Sequence, residues 1–209
     1  MIIELPLRGI EMDRRTEIIY ATLELASENG LGTVSMKQIA DKVGITKASL
    51  YNHFASRDEI VDAMYETLRE QAKNKAGVGG IDFDQLNENV PLNVILTGMI
   101  DSYRKMTTSE EMFRFYKIIM SERSINPAAA EIMAKETKTM VNATKALFYA
   151  LQVKNIANFG NVDSAAISFT MAVHSIIDYE CDLIHAGMKK DKSMMTDFIE
   201  EFSRVYSAK

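Results

Sequence analysis

A chain of 209 residues, 47% hydrophobic and 25% charged with three prolines, is long enough to bury a core without disulfides or metals and too apolar to be disordered. Its single cysteine, Cys181, excludes an internal disulfide and any cysteine-cluster zinc site, and suits a reducing cytoplasm. The net charge of −5 excludes a uniformly basic, nucleic-acid-coating protein, so the distribution of charge matters more than its sum.

Residues 1–12 carry no clear periodicity and are expected to form a loose arm. Glu4 interrupts their apolar stretch and no small-residue cleavage site follows, so they make a poor signal peptide. No uninterrupted apolar run approaches the ~18 residues of a membrane span, and a soluble, cytoplasmic protein is expected. From Asp13 to Asn29, Ile18, Ile19, Thr22, Leu25 and Ala26 recur at three- and four-residue steps, which predicts a helix closed by Gly30.

Next comes a pair of short helices hinged at Gly44. Ser35 and Gln38 form the capping-box pattern for the first, which should stop near Val43, because Gly44 can adopt the left-handed conformation that ends helices. Thr46 can then cap a second helix through the stretch ending at Phe54. Val34, Ile39, Ala40, Val43, Leu50 and Phe54 supply an apolar face for the preceding helix to cover, giving a three-helix head over residues 13–56. Two helices joined by a short Gly-containing turn form the helix-turn-helix unit, whose second helix enters the DNA major groove.

Ser56 and Glu59 repeat the capping-box spacing, and Ile60, Val61, Met64, Tyr65 and Leu68 mark one face of a connecting helix over 57–75. Gly77, Gly79 and Gly80 then open a turn-rich linker, the expected boundary with a second domain over 77–209. From Pro91 the pattern is helical almost throughout, with helices expected at 91–107, 109–123, 127–153, 163–186 and 191–207. Pro91 and Pro127 suit first helical positions, Asn126 a cap, Asn161 or Asp163 the next cap, and Gly187 a terminator. No strand periodicity competes, so the fold class is all-α.

The charge of the head differs from that of the body. Residues 13–57 hold six basic and five acidic side chains, whereas 58–209 hold 17 basic and 22 acidic, and 43–57 contain Lys47 and Arg57 with no acid at all. A mildly basic reading head on an acidic body fits contact with DNA through one small surface. At the start of the second helix, Lys47 can reach guanine acceptors and Thr46 or Ser49 can donate to bases or phosphates. Asn52 fits an adenine edge, and Tyr51 and His53 fit phosphate oxygens. Ser35, Lys37 and Arg57 lie at flanking helix starts, where they can fix the backbone register. By spacing alone, the same residues also suit a solvated helix pair that never meets DNA.

The residues themselves resemble a known family. Ile18, Ala21, Leu25 and Gly30, then Ser35, Ile39 and Ala40, then Val43-Gly44-Ile45, and above all Leu50-Tyr51-Asn52-His53-Phe54 followed by Ser56-Arg57-Asp58-Glu59-Ile60, are similar to the DNA-binding domain of the tetracycline-repressor (TetR) family of transcription regulators. Arg57 stands where lysine is commoner, and Ala26 where the family often has phenylalanine. The resemblance covers about a quarter of the chain. It implies a double-stranded DNA operator as partner and a C-terminal ligand-binding and dimerisation domain.

In that domain the resemblance implies a small-molecule effector among the middle helices, where Met99, Tyr103, Met106, Phe113, Tyr116, Met120, Met140, Phe148 and His174 offer a plastic, largely apolar lining. Any one of them would also serve as ordinary core. It further implies a homodimer through the last two long helices, for which Ala166, Phe169, Thr170, Val173, Ile177, Ile184, Phe198 and Phe202 are the candidates. A symmetric dimer would set two recognition helices one DNA turn, ~34–36 Å, apart.

Enzyme readings find little support. His53, His174 and His185 share no metal-ligand spacing, and nothing orients Cys181 against a histidine. The glycines at 77–80 lack the strand and lysine of a phosphate loop. Neither a cofactor nor a metal is expected. The sequence predicts a DNA-binding transcription regulator, a repressor released from its operator by a small apolar ligand. An activator or ligand-independent binder, and an all-helical interaction protein that avoids DNA, remain as alternatives.

Overall fold

The structure is a computed structural model, described here for residues 13–76, 86–107, 109–189 and 193–208. The expected arm over 1–12 and the glycine linker at 77–80 lie outside the described residues. Within them the chain is all-α, with helices α1 (Arg14–Asn29), α2 (Met36–Val43), α3 (Lys47–Tyr51), α4 (Arg57–Ala76), α5 (Leu92–Thr107), α6 (Glu110–Glu122), α7 (Pro127–Val153), α8 (Val162–His185) and α9 (Ser193–Tyr206). A 3-10 turn over Leu31–Thr33, which no periodicity announced, joins α1 to α2.

The helix ends follow from capping chemistry. Asp13 accepts from the Thr16 amide at the start of α1, and Ser35 and Gln38 form the reciprocal capping box of α2. Gly44, at φ 76° and ψ 31°, closes α2 in the left-handed conformation. Its amide reaches the Asp41 carbonyl while that of Ile45 reaches Ala40, the paired bonds of a Schellman end. Gly187, at φ 69°, does the same for α8, with Met188 donating to Leu183. Of the two candidate caps for α8, Asn161 is the one used, accepting from Ser164 at 2.9 Å. Pro127 is the first residue of α7, whereas Pro91 lies one residue before α5.

The chain divides into two compact units that do not follow the expected boundary at residue 77. The first comprises residues up to Lys73 together with Thr107–Met133, and the second comprises Asn74–Met106 and Ala134–Lys209. In the first unit, α1 packs on α2 and α6, and the 3-10 turn also touches α6. Ile18, Leu23, Ile39, Leu50, Phe54 and Ile60 are buried there. Expected to belong to the C-terminal domain, α6 is instead part of the compact unit that contains the head. Its apolar residues Met112, Phe115 and Ile119 are fully buried, with the Phe115 ring 6.2 Å from that of Tyr65 on α4.

The second unit is organised on an aromatic core. Phe148 stacks on Phe159 with ring centroids 4.2 Å apart, and Phe169 meets Phe202 edge-on at 4.8 Å. Leu96, Leu151, Ala166 and Val173 close around them. Polar links also cross this unit: the Thr170 hydroxyl donates to that of Thr144 at 3.0 Å, and Arg104 pairs with both oxygens of the buried Glu180 carboxylate at 2.8 and 2.9 Å. Among the described residues, no helix is long and apolar enough to cross a membrane.

Candidate nucleic-acid interface

The helix-turn-helix surface is built from short-range capping. Thr46 accepts the Ser49 amide at 3.0 Å, which starts α3, and Leu50 is fully buried beneath it. Burial of Leu50 and Phe54 fixes the rotation of α3, so that Lys47, Ala48, Tyr51 and Asn52 are turned to solvent. The α-helix is shorter than expected: it ends at Tyr51, and Asn52 is its C-cap at φ −70° and ψ −18°.

Of the residues expected to meet DNA, Ser35, Lys37, Thr46, Lys47, Tyr51 and Asn52 are exposed, while Ser49 and His53 are half-buried. The Lys47 ammonium lies 5.8 Å from the centre of the Tyr51 ring, so a cation and a phenol share one face of α3. That pairing supplies a point charge for phosphates or guanine acceptors next to a hydroxyl donor. The Ser35 hydroxyl is engaged by Gln38, donating to its side chain at 2.7 Å.

Arg57 makes contacts within the head that its position at a helix start did not announce. Its Nη1 donates to the carbonyls of Leu31, Gly32 and Val34 at 3.2, 3.3 and 3.4 Å, so the guanidinium ties the start of α4 to the 3-10 turn. An arginine with an unsatisfied turn beside it is held by those carbonyls, whereas sequence spacing shows only a positive charge at a helix start.

Residues outside the expected DNA contacts hold this surface in place. Arg15, in the first turn of α1, donates to the His53 carbonyl and lies 4.0 Å over the Phe54 ring. Glu59 accepts from the Ala55 amide at 2.7 Å while its own amide donates to Ser56, so the capping box before α4 reaches one residue further back than expected. Contacts such as Arg15 with His53 span 38 positions, and no local pattern carries them.

The expected effector residues divide between the two units. Phe113, Tyr116 and Met120 belong to α6 in the first; Met99, Tyr103, Met106, Met140, Phe148 and His174 belong to the second. Phe148 is a fully buried member of the aromatic core, Met106 is buried, and Met99 packs against the core. Phe113 is turned outward, 41% exposed, with the Lys117 ammonium 5.9 Å from its ring centre. Tyr103, Tyr116, Met120, Met140 and His174 are half-buried, and His174 lies 3.9 Å from Asp178. No group of three or more His, Cys, Asp or Glu side chains among the described residues is arranged to hold a metal ion.

The dimer candidates are distributed between core and surface. Ala166, Phe169, Thr170, Val173 and Phe202 are buried in the protomer's own core, because the most apolar stripe of α8 covers its own domain first. Ile177 and Phe198 are half-buried, and Ile184 is exposed. The side of α8 that faces solvent carries Ile167, Met171 and Tyr179.

Comparison with known proteins agrees with this geometry. Residues 18–64 match the model of the bacterial regulatory proteins of the tetR family. The HTH-type transcriptional regulator UidR of Escherichia coli K12 is 27% identical over 167 residues, covering 78% of this chain and 76% of its own length. The HTH-type transcriptional repressor KstR2 of Mycobacterium tuberculosis H37Rv is 41% identical over 51 residues, 24% of this chain and 26% of its own. Among solved structures, the flavonoid-responsive regulator FrrA superposes with a TM-score of 0.69 at 19% identity, covering 92% of this chain and 96% of its own. The outward face of α3, its caps and these matches converge: residues 18–64 are similar to the DNA-binding region of the tetR family of bacterial regulatory proteins, and the chain is a DNA-binding transcription regulator.

Proposed function

We propose that the protein is a homodimeric repressor that leaves its operator when a small, largely apolar molecule binds in its C-terminal part. The observation that carries the DNA half of this reading is the acid-free outward face of α3, where Lys47, Tyr51 and Asn52 project beside the Thr46 cap. Ser35 and Lys37, at the start of α2, extend the same donor surface, with Ser49 and His53 at its margin. Arg57 braces the head through Nη1, and its remaining guanidinium nitrogens suit a phosphate.

The effector half rests on composition and kinship. In the second unit, the half-buried Tyr103, Met140 and His174 offer a flat wall, an adaptable thioether and a polar group. A protein sharing the fold is named as flavonoid-responsive, and one relative as a repressor. The homodimer would use the outward face of α8, where Ile167 and Met171 lie one turn apart. To shift operator occupancy from 99:1 to 1:99, the effector must distinguish the two states by about 5.5 kcal/mol.

The test starts with selection of DNA from a random-sequence library by the whole protein, followed by titration of the selected duplex at several salt concentrations. Preference for a two-fold-symmetric sequence that survives moderate salt is expected. Binding that ignores sequence and falls uniformly with salt would reduce the reading to phosphate attraction.

A further inference from the structure

The head is gripped by a carboxylate from a helix far along the chain. Glu122, the last residue of α6, is 8% exposed, and its Oε1 accepts the Gly32 amide of the 3-10 turn at 2.8 Å. Its Oε2 accepts from Asn126 Nδ2 at 3.1 Å, which ties the same carboxylate to the corner between α6 and α7. On the opposite side of the turn's peptide groups, Arg57 takes the carbonyls of Leu31, Gly32 and Val34. A carboxylate on the amide and a guanidinium on the carbonyls hold the turn from both sides. Val34 is buried and Ser35, next in the chain, caps α2, so the pose of the turn sets where α2 begins.

Glycine is required at position 30 by its backbone conformation, while a Cβ at either glycine of the turn would stand at ordinary contact distance from the carboxylate. Gly30 is at φ +81°, and a Cβ on it would meet Glu122 Oε1 at 3.5 Å; one on Gly32 would meet the two carboxylate oxygens at 3.8 and 3.9 Å. The carboxylate thus rests against a stretch of bare backbone, where its charge strengthens the hydrogen bond it accepts.

We infer that Glu122 is a positioning residue for DNA reading: it fixes the orientation of α2 and α3 on α6 through the Gly32 amide. It touches no DNA itself. The inference rests on the regulator reading and deepens it, since α6 also carries Phe113, Tyr116 and Met120. A displacement of α6 by a molecule bound against those residues would reach the turn through this bond, with no rearrangement inside the helix-turn-helix.

The physical signature separates positioning from mere stability. Base-edge contacts demand that side chains sit at fixed places, whereas attraction to phosphates tolerates a tilted head. Glu122→Ala and Glu122→Gln are compared with the parent on the selected duplex and on a scrambled duplex, well below each protein's melting temperature. Exchange of the Gly32 and Thr33 amides is followed in parallel. Glu122→Ala is expected to lose about tenfold or more on the selected duplex. Binding to the scrambled duplex should remain within about twofold, and Gly32 should lose protection. Glu122→Gln keeps an acceptor oxygen and should restore most of both.

Equal losses on the two duplexes, or undiminished selectivity in Glu122→Ala with helix content retained, would overturn the inference. If Glu122→Ala does not fold, Glu122→Gln decides it, because an amide that cannot restore Gly32 protection means that the bond does not hold the turn. Failure of the regulator reading itself shows in the parent protein, as the absence of any selected sequence, and the exchange of Gly32 still decides whether Glu122 grips the turn.

Discussion

Arg15 and His53 are 38 residues apart, yet the Arg15 guanidinium donates to the His53 carbonyl just beyond the end of α3 while lying over the ring of Phe54. The same guanidinium is 3.8 Å from Glu59. One side chain therefore ties the start of α1 to the hinge between α3 and α4. The hinge residue Phe54 is buried, so its ring offers a fixed face to the cation.

Arg15→Ala should destabilise the protein by ~1 kcal/mol, since the hydrogen bond and ring contact lie at an exposed site. Arg15→Lys should recover less than half, because an ammonium cannot hold a carbonyl and cover a ring with one planar group. Urea unfolding followed by circular dichroism measures both. Equal stability of all three proteins would remove Arg15 from the brace.

Lys47→Ala should weaken binding to all DNA sequences and lower the slope of log affinity against log salt by about one. Tyr51→Ala should weaken binding with a smaller change of slope, because its hydroxyl carries no charge. Sedimentation should show the oligomeric state of both variants unchanged. A change in that state would mean the α3 face is not the DNA surface.

Asp13 carries the pH dependence of α1. Its carboxyl is held below its ordinary value, first by the Thr16 amide and then by the Thr16 hydroxyl, both of which donate to the ionised form. A depressed folded value means that the contribution is present above the usual carboxylate range and is lost as pH falls through it. Asp13→Asn keeps a cap acceptor and should flatten the acid limb of the melting curve, whereas Asp13→Ala should cost up to ~1 kcal/mol at neutral pH. Melting temperatures across the acid range check the sign.

Phe148→Ala should cost about 3–5 kcal/mol, because it opens a cavity between Phe159, Phe169 and Phe202. Phe148→Leu should cost less by filling most of that space. The midpoint of urea unfolding measures the difference. A Phe148→Ala protein of parental stability would place this ring outside the core.

On the outward side of α8, Ile167→Glu combined with Met171→Glu should shift the protein toward monomer in sedimentation equilibrium, since both side chains are more than two-fifths exposed in the protomer. Phe169→Glu, by contrast, should unfold the domain, because Phe169 is fully buried. Monomers from the parent protein would refute the homodimer directly.

The local elements were legible in the sequence because they are decided by chemistry within a few residues. Ser35 with Gln38, Gly44, Thr46, Asn161 and Gly187 all act where their spacing placed them. The outward face of α3 was legible too, since burial of Leu50 and Phe54 turns Lys47, Tyr51 and Asn52 to solvent. Only the tertiary structure decided which apolar stripe a domain keeps for itself. Ala166, Phe169 and Val173 are as apolar as an interface needs, yet they lie in the protomer's core, and Phe148 is core for the same reason. Arg57 and Glu122 are single charges without a local pattern, and their roles arise from a turn at Leu31–Thr33 that each meets from a different part of the chain. Capping is a property of neighbours in sequence, whereas burial and the satisfaction of a turn's amide and carbonyls depend on whatever the folded chain brings alongside.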